Sequence, residues 1–194
     1  MNSKKIIVVF SVLLVVLFFA LSAFRYSTLN KIYPDVEIVE HSIGEEIKGG
    51  EIYITVESSE LWDGEQTRQI IPDYTIEAYN NDGTIPEDDQ IRNLIIHLKV
   101  ENKSDSQKSV SFVNFTPESN AWKNGLSLEL YTQLNPGVGS PLEFKIEANS
   151  KSDIILPYTM IYSQFKEKDW EHIEQRDFKL VLSQYPIKHV INLG

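Results

Sequence analysis

The chain has 194 residues, of which 42% are hydrophobic and 11% aromatic, so length and composition predict one domain with a full hydrophobic core. It contains no cysteine, which excludes disulfides, a lipid-modified cysteine and a cysteine-based zinc site. The formal net charge of −10 at pH 7 argues against a basic surface for nucleic acid, so no nucleic-acid partner is predicted.

The beginning of the chain has the composition of a membrane segment. Residues 1–5 include Lys4 and Lys5, and residues 6–24 follow without a charge. A helix over 6–24 would be about 28 Å long at 1.5 Å per residue, close to the hydrocarbon thickness of a bilayer. We therefore predict a single transmembrane anchor over 6–24, with 1–5 as its cytoplasmic end.

A cleavable signal peptide is the alternative, because it also has a basic end followed by an apolar run. Cleavage near Ser22 or Ala23 would release the rest of the chain as a secreted protein. The apolar run is longer than the roughly 7–15 residues of an ordinary signal sequence, which favours the anchor. Residues 25–35 are then a linker, and residues 36–194 form a domain outside the cytoplasm, since a short basic end tends to stay inside.

Beyond the linker, alternating polar and apolar residues predict short strands. Residues 36–40 alternate weakly, as an edge strand does. Residues 51–57 alternate clearly, with three β-branched residues on one face. The pattern is lost from 58 to 90, although 70–79 has the composition of a short strand. A connection of that length is uncommon in a compact domain unless it is functional or carries structure of its own.

The strongest alternation runs from Leu94 to Val100. The polar run 102–107 predicts a turn after it, and apolar residues then begin a second strand. We predict from this pattern a β-hairpin over 91–115 at the centre of a sandwich.

The remaining chain predicts further strands, a loop over 116–125 and one or two helical turns over 163–175. The predicted strands are 126–131, 142–147, 153–158, 178–182 and 187–193. About eight or nine strands separated by turn signals predict an all-β, immunoglobulin-like β-sandwich behind a single transmembrane helix. Its predicted core comprises Ile52, Ile54, Val56, Leu94, Ile96, Leu98, Val100, Phe144, Phe178 and Leu180.

One acidic cluster in the irregular region is a weak candidate for a metal site. Asp82, Glu87, Asp88 and Asp89 lie close together in sequence, and carboxylate oxygens are the ligands that calcium prefers. The EF-hand pattern fails, because alignment on Gly83 places Ala78 at the first ligand position. A solvated acidic loop is therefore the favoured interpretation.

Three aromatic residues in the same region, Trp62, Tyr74 and Tyr79, are candidates for a partner-binding patch. Aromatic residues of this kind are more often core or loop-packing residues, so the patch is the less favoured alternative. If a partner surface exists, we expect it in the irregular region 58–90 rather than on the sheet faces.

Several segments carry a resemblance to a known group of domains. These are Ile43-Gly44-Glu45 with the strand after Gly50, the turn 100–104, and the C-terminal residues around Trp170 and 183–188. They resemble the immunoglobulin-like extracytoplasmic domains of Gram-positive bacteria, and in particular an uncharacterised membrane-anchored branch of that group. The resemblance covers roughly 36–193 and implies a fold and a location, but no catalytic residue.

The sequence contains no nucleophile elbow, phosphate loop or dinucleotide fingerprint, so neither a cofactor nor an enzymatic activity is predicted. We expect a non-enzymatic binding or accessory module at the cell surface, with the membrane and an envelope protein or peptide as partners. The alternatives are an envelope enzyme that uses carboxylates such as Asp82, Glu87 and Asp88, and a calcium-binding surface domain.

Overall fold

The computed structural model describes residues 3–33, 36–49, 51–76 and 78–194, with side chains described from residue 10 onward. Residues 1 and 2, Pro34 and Asp35 at the end of the predicted linker, Gly50, and Glu77 in the irregular region lie outside the described residues. The chain divides into two compact units, Met1–Glu37 and Ile38–Gly194, and each is described by itself.

The first unit is one helix, α1, over Ser3–Ile32. The segment Phe10–Ile32 is long and apolar enough to cross a membrane. The helix continues beyond residue 24, so most of the predicted linker 25–35 is helical. At 1.5 Å per residue the whole helix is about 45 Å long, which exceeds the roughly 30 Å of a bilayer core.

The second unit is built from two antiparallel sheets that face each other across one core. The four-stranded sheet has the order β2 (Glu46–Gly49), β3 (Ile52–Asp63), β4 (Ile91–Asn102), β9 (Ser150–Ile161). The five-stranded sheet has the order β1 (Glu37–Ser42), β11 (Ile187–Asn192), β10 (Lys179–Ser183), β6 (Thr116–Ser119), β7 (Trp122–Lys123). A two-stranded sheet joins β5 (Lys108–Val110) to β8 (Phe144–Ile146).

Short helices connect the strands. They are α2 (Gly64–Ile70), α3 (Leu128–Leu134) and α4 (Glu167–Glu171), with 3-10 helical turns at Asp88–Gln90, Phe112–Asn114, Tyr162–Gln164 and Ile173–Gln175. The helical segment predicted over 163–175 is therefore confirmed, and so is the edge strand near 36–40.

The core confirms the β-sandwich prediction. All ten residues predicted for it are buried. On β4, Leu98 lies opposite Val56 of β3 and Ile154 of β9, so a strand flanked on both sides supplies the centre of the core. A period-2 pattern of this strength arises because one face of the strand is fully covered.

The central hairpin predicted over 91–115 is wrong. The strand β4 pairs with β3 and β9 along its length, whereas β5 pairs with β8. The polar run after β4 does turn the chain, but Asn102 directs it elsewhere. Its side-chain amide donates to the carbonyls of Ser106, Ile146 and Glu147, which ties this turn to the β8–β9 connection.

The irregular region begins later than its sequence pattern indicates, because β3 contains a β-bulge. Val56 lies opposite Leu98 and Ser58 opposite His97, so Glu57 is an extra residue in β3. An extra residue shifts the alternation by one position. After the bulge Leu61 pairs with Leu94, and the strand continues to Asp63.

Three local predictions are wrong for reasons that lie in packing. The loop predicted over 116–125 contains the short strands β6 and β7. The strand predicted over 126–131 is occupied mainly by α3, in which Leu130 and Leu134 lie one turn apart and pack in one small cluster, while Tyr131 packs in the main core. The described residues of 70–79 contain no strand, since α2 ends at Ile70.

Two histidines lie side by side at the edge of the five-stranded sheet. His41 Nε2 and His189 Nδ1 are 3.0 Å apart, and the two rings are stacked at 5.3 Å between centroids. The other nitrogen of His41 lies 2.8 Å from a Glu45 carboxylate oxygen. That hydrogen bond, with a second from the Ser42 amide, lowers the pKa of Glu45. These contacts connect β1 to the turn that precedes β2.

A candidate binding cleft on the outer face of the four-stranded sheet

A small second core covers the outer face of the four-stranded sheet, opposite the main core. It consists of buried Ile71, Tyr74 and Leu130, with Ile76 and Leu134 partly buried around them. The irregular segment after α2 and the helix α3 thus pack together over β4 and β9. The irregular segment therefore contributes to a hydrophobic core, although its sequence has no clear periodicity.

A buried polar network fixes α2 on that face. Asn93 of β4 donates from Nδ2 to Thr67 Oγ1 at 2.9 Å, and its Oδ1 accepts from Thr159 Oγ1 of β9 at 2.7 Å. Thr67 in turn donates to the Asp63 carbonyl at 2.7 Å. Buried polar groups are stable only when they are hydrogen-bonded, and each of these has a partner. The network therefore specifies the position of α2.

Arg68 holds the segment that follows α2. Its Nε donates to the Asp88 carboxylate at 2.9 and 3.1 Å, and its Nη1 donates to the Tyr74 carbonyl at 2.8 Å. Gly64 allows Asp88 to approach, because a Cβ at Gly64 would lie 2.6 Å from the Asp88 Cα. These contacts leave little freedom for the chain at Tyr74.

The Tyr74 hydroxyl is a buried polar group without a hydrogen-bond partner among the described residues. The residue is 3% exposed, and burial raises its pKa. Asn93 and Thr159 lie next to the hydroxyl, but neither meets hydrogen-bond geometry with it. A neutral phenol therefore lies at the base of the surface described next.

The cleft above Tyr74, here called the outer cleft, has a volume of about 380 Å³. One wall is the segment after Tyr74, which contributes Thr75, Ile76 and Ala78. The other is 124–129, before and at the start of α3. The Thr75 hydroxyl donates to the Glu129 carboxylate at 2.9 Å and joins the two walls. A volume of several hundred Å³ is typical of ligand sites.

One wall also closes the edge of the four-stranded sheet. Asn135 pairs with Ile155 of β9 like a neighbouring strand, since its Nδ2 donates to the Ile155 carbonyl and its Oδ1 accepts from the Ile155 amide, both at 2.8 Å. Further along β9, the Thr159 carbonyl accepts from Asn124 Nδ2 at 2.6 Å. These contacts satisfy the backbone of an edge strand that could otherwise pair with another chain.

The wall formed by the segment after Tyr74 has unpaired backbone groups among its described residues. No backbone hydrogen bond connects Thr75, Ile76, Ala78 or Tyr79 to another described residue. Thr75 and Tyr79 are exposed, and the described part of this segment has neither helix nor strand structure. Among the described lining residues only Tyr74 and Glu129 carry ionisable side chains, so the cleft presents hydroxyl, amide and apolar groups rather than paired acids and bases.

The three predicted aromatic residues do not form one exposed patch. Tyr74 is buried beneath the outer cleft as part of the second core, which agrees with the favoured loop-packing interpretation and not with an exposed patch. Trp62 lies half-buried on β3 opposite Asn93, and Tyr79 is 62% exposed beyond the end of the cleft wall. Of the three, only Tyr74 lines the cleft. The role of Trp62 and Tyr79 in partner binding remains a prediction.

The predicted acidic residues do not converge on a metal site. The Asp82 carboxylate accepts from the Thr84 hydroxyl and amide at 2.7 and 3.0 Å, which lowers the pKa of Asp82 and closes a local turn. Asp88 is paired with Arg68, while Glu87 and Asp89 lie on either side of it at the 3-10 turn. Within the described ranges, no group of three histidine, aspartate or glutamate residues is arranged to hold a metal ion.

Residues 124–129 and Thr159 of the outer cleft were not among the predicted site residues. No local pattern in the sequence marks them, because they come from segments far apart in the chain and meet only on the sheet. The cleft lies next to the irregular region, and a partner surface in that region stays a prediction.

A β-sandwich and an N-terminal apolar helix define the class of this protein. The chain belongs to the DUF5028 family, described as a domain of unknown function, whose model matches residues 31–189. No curated protein matches the sequence.

Solved structures of similar proteins come from several bacteria. The yjhA protein from Bacillus subtilis is 19% identical, with a TM-score of 0.45, and the match covers 79% of this chain and 99% of that one. An uncharacterised β-sandwich protein from Clostridium difficile is 11% identical, with a TM-score of 0.49 and coverage of 82% and 97%. A conserved hypothetical protein from Bacillus anthracis is 9% identical, with a TM-score of 0.49 and coverage of 79% and 95%. At these identities no residue role transfers to this chain.

Proposed function

We propose that the protein is a non-enzymatic binding or accessory module held at the cell membrane of a Gram-positive bacterium. The helix α1 is its uncleaved anchor, the immunoglobulin-like sandwich lies outside the cytoplasm, and the outer cleft holds an extended peptide segment of an envelope protein. The apolar span Phe10–Ile32 supports the anchor. The family match covers the sandwich but names no activity.

The outer cleft is the observation that carries the proposal. An extended peptide binds well where it can pair with unpaired backbone groups and place alternate side chains in a cleft. Thr75, Ile76 and Ala78 offer such groups on one wall. On the other wall, Asn124 and Glu129 keep hydrogen-bonding capacity beyond the single contacts that they make across the cleft. The sheet edge at β9 is closed by Asn135, so the peptide is expected beside the first wall rather than on β9.

Membrane topology is tested with protease added to intact protoplasts. The anchor predicts that the sandwich is digested while a small N-terminal fragment stays in the membrane. Release of an intact domain that begins near Ala23 would replace the anchor with a cleaved signal peptide. Protection of the domain in intact protoplasts would place it in the cytoplasm and contradict the proposal.

The peptide site is tested with a photo-crosslinking residue placed at position 78 in cells, with position 148 as control. Ala78 and Ala148 are both half-buried alanines outside regular structure, but only Ala78 lines the outer cleft. We expect position 78 to crosslink to a defined peptide of an envelope protein, and a synthetic copy of that peptide to bind the purified full chain.

A second variant gives the affinity readout for the same site. Ala78→Arg fills the cleft with a long charged side chain and should weaken binding of the peptide at least tenfold, whereas Ala148→Arg should not. Thermal melting checks that both variants fold. Equal crosslinking from both positions, or unchanged peptide affinity in folded Ala78→Arg, would move the partner surface elsewhere.

A further inference from the structure

A second cleft lies next to the outer cleft and shares Gln164 with it. It is formed by the β6–β7 hairpin, the segment 164–169 and Arg176, and its volume is about 550 Å³. Here it is called the basic cleft. None of its residues was among the predicted site residues, and the proposed peptide site does not use it.

Two aromatic residues form one wall of the basic cleft. The rings of Trp122 and Phe165 lie 5.9 Å apart between centroids, inclined at 32°. The indole Nε1 of Trp122 donates to Gln164 Oε1 at 3.2 Å, which leaves the Gln164 amide nitrogen to donate to a ligand. The wall is therefore held in place by its own contacts and presents two half-buried aromatic rings to the cleft.

Arg176 is held against the same wall. Its guanidinium lies 5.3 Å from the Phe165 ring centroid, and it donates from Nε and Nη2 to the hydroxyl and carbonyl of Ser119 at 3.2 and 2.9 Å. A guanidinium has five N–H donors, so donors remain beyond those that Ser119 occupies. The positive charge of Arg176 is thus positioned by the fold.

The basic cleft gathers three cations in an acidic protein. Lys123 and Lys166 line it together with Arg176, and Asp169 is its one carboxylate among the described lining residues. Most other lysines and arginines of the sandwich pair with a carboxylate, but across the described residues none of these three does. Glu118 lies near Lys123 without reaching ion-pair distance, and it is itself paired with another lysine.

We propose that the basic cleft binds an anionic carbohydrate. The apolar C–H face of a sugar ring packs against Trp122 and Phe165, and its acidic group lies among Lys123, Lys166 and Arg176. Neutral hydroxyls on the same ring hydrogen-bond to Gln164 and Asp169, which offer a donor and an acceptor. A cleft of about 550 Å³ accommodates one or a few sugar rings rather than a bare anion.

The acidic group is a carboxylate or a phosphate, since both accept hydrogen bonds from lysine and arginine. Long nucleic acids are disfavoured, because a protein with a net charge of −10 repels a polyanion over most of its surface. The negative potential around the cleft thus restricts the ligand to one with few charges near its point of contact.

The test measures binding of labelled oligosaccharides to the full chain in detergent by fluorescence anisotropy. The probes are glucose oligomers of equal length that carry one terminal glucuronate, one terminal phosphate or no charge. We expect at least one anionic probe to bind at least tenfold more tightly than the neutral oligomer, with the affinity falling as salt rises. The comparison of the two anionic probes decides between carboxylate and phosphate.

Two double variants with the same change in charge locate the site. Lys123→Ala with Lys166→Ala should weaken binding of the anionic probe at least tenfold. Lys48→Ala with Lys145→Ala removes two exposed lysines outside the cleft and should change it less than twofold. All four positions are exposed, so both variants are expected to fold.

Each alternative gives a distinct result that would overturn the proposal. Equal weakening in the two double variants would show a non-specific charge effect. Competition by inorganic phosphate at the same concentration as the sugar would reduce the site to a simple anion site. Tighter binding of a short single-stranded oligonucleotide would change the ligand class. Ala78→Arg should leave saccharide binding unchanged, so failure of the peptide proposal is distinguishable from failure of this one.

Discussion

Asn102 offers the sharpest test of how this sandwich is assembled. The residue is fully buried, and its Nδ2 donates to the carbonyls of Ser106, Ile146 and Glu147 at 2.8, 3.2 and 3.0 Å. Its Oδ1 accepts from the amide and hydroxyl of Ser104 at 3.0 and 2.8 Å. One amide thus connects the end of β4 to the β8–β9 connection.

The cost of losing this amide follows from its contacts. In Asn102→Ala, the buried contact to Ile146 leaves a carbonyl unsatisfied, at about 1–3 kcal/mol, and each partly exposed contact loses about 0.5–1.5 kcal/mol. Contacts made by one side chain are not additive, so the total is smaller than the sum of these losses, and we expect a loss of about 2–5 kcal/mol in the free energy of unfolding. Asn102→Asp should cost more at pH 7, because an uncompensated buried charge costs about 3–5 kcal/mol and it would face carbonyl oxygens.

The aspartate variant also predicts a dependence on pH. Burial and the neighbouring carbonyls would raise the pKa of the new carboxyl in the folded state above its unfolded value. The penalty should therefore be largest at neutral pH and shrink as pH falls, since the neutral acid can donate one hydrogen bond again. The asparagine and alanine forms lack this titration.

Denaturant unfolding of the full chain in detergent, followed by tryptophan fluorescence at pH 7 and pH 4.5, measures these effects. Asn81→Asp is the control, because it adds the same charge at an exposed asparagine whose amide makes one contact at 3.4 Å. That change should cost under about 0.5 kcal/mol. If Asn102→Asp costs no more than Asn81→Asp, Asn102 does not connect the two turns as described.

Three further predictions test the packing and electrostatics of the sandwich. Leu98→Ala should lower the free energy of unfolding by about 2–5 kcal/mol, because it opens a cavity in the centre of the core. Lys99→Ala at the next position should lower it by under about 0.5 kcal/mol. Equal losses in a denaturant titration would contradict the strand register. Gly64→Ala should destabilise the packing of α2, because the new Cβ would clash with the backbone of Asp88. Amide hydrogen exchange in α2 should therefore become faster. Unchanged exchange would refute the close approach of Gly64 to Asp88. Burial opposes ionisation of Glu118, but hydrogen bonds from a lysine and a glutamine outweigh it and lower the pKa of Glu118 below 4.5. The ionised carboxylate therefore stabilises the fold above that pH, and this stabilisation is lost as the pH falls through the folded pKa. Between pH 7 and pH 3, the unfolding midpoint of Glu118→Gln should drop less than that of the unmodified protein.

Local chemistry determined a large part of this fold. The charge-free run after Lys5 predicted an apolar helix, because its length and composition alone decide whether a helix can cross a bilayer. The alternation from Leu94 to Val100 predicted a buried strand face, and every residue of it lies in the core. Such periodicity is readable in one sequence because each side chain reports which face of its own strand is covered.

The choice of strand partners was decided by contacts distant in sequence. The run after Val100 predicted a hairpin, since nothing local shows that Asn102 bonds to Ile146 and Glu147 instead. The bulge at Glu57 is equally invisible, because it exists only relative to the register of β4. Pairing depends on which segments meet, and one strand's pattern is compatible with many partners.

The sites depended on tertiary structure most of all. The polar residues around Tyr74 in the sequence do not show that it is buried. In the folded chain it packs against Leu130, a residue of a different segment. The outer cleft lies between Thr75 and Glu129, and the basic cleft around Arg176 is assembled in the same way. A binding surface is a set of neighbours in space, so composition and periodicity predicted the scaffold of this protein, and only the folded chain brought the cleft residues together.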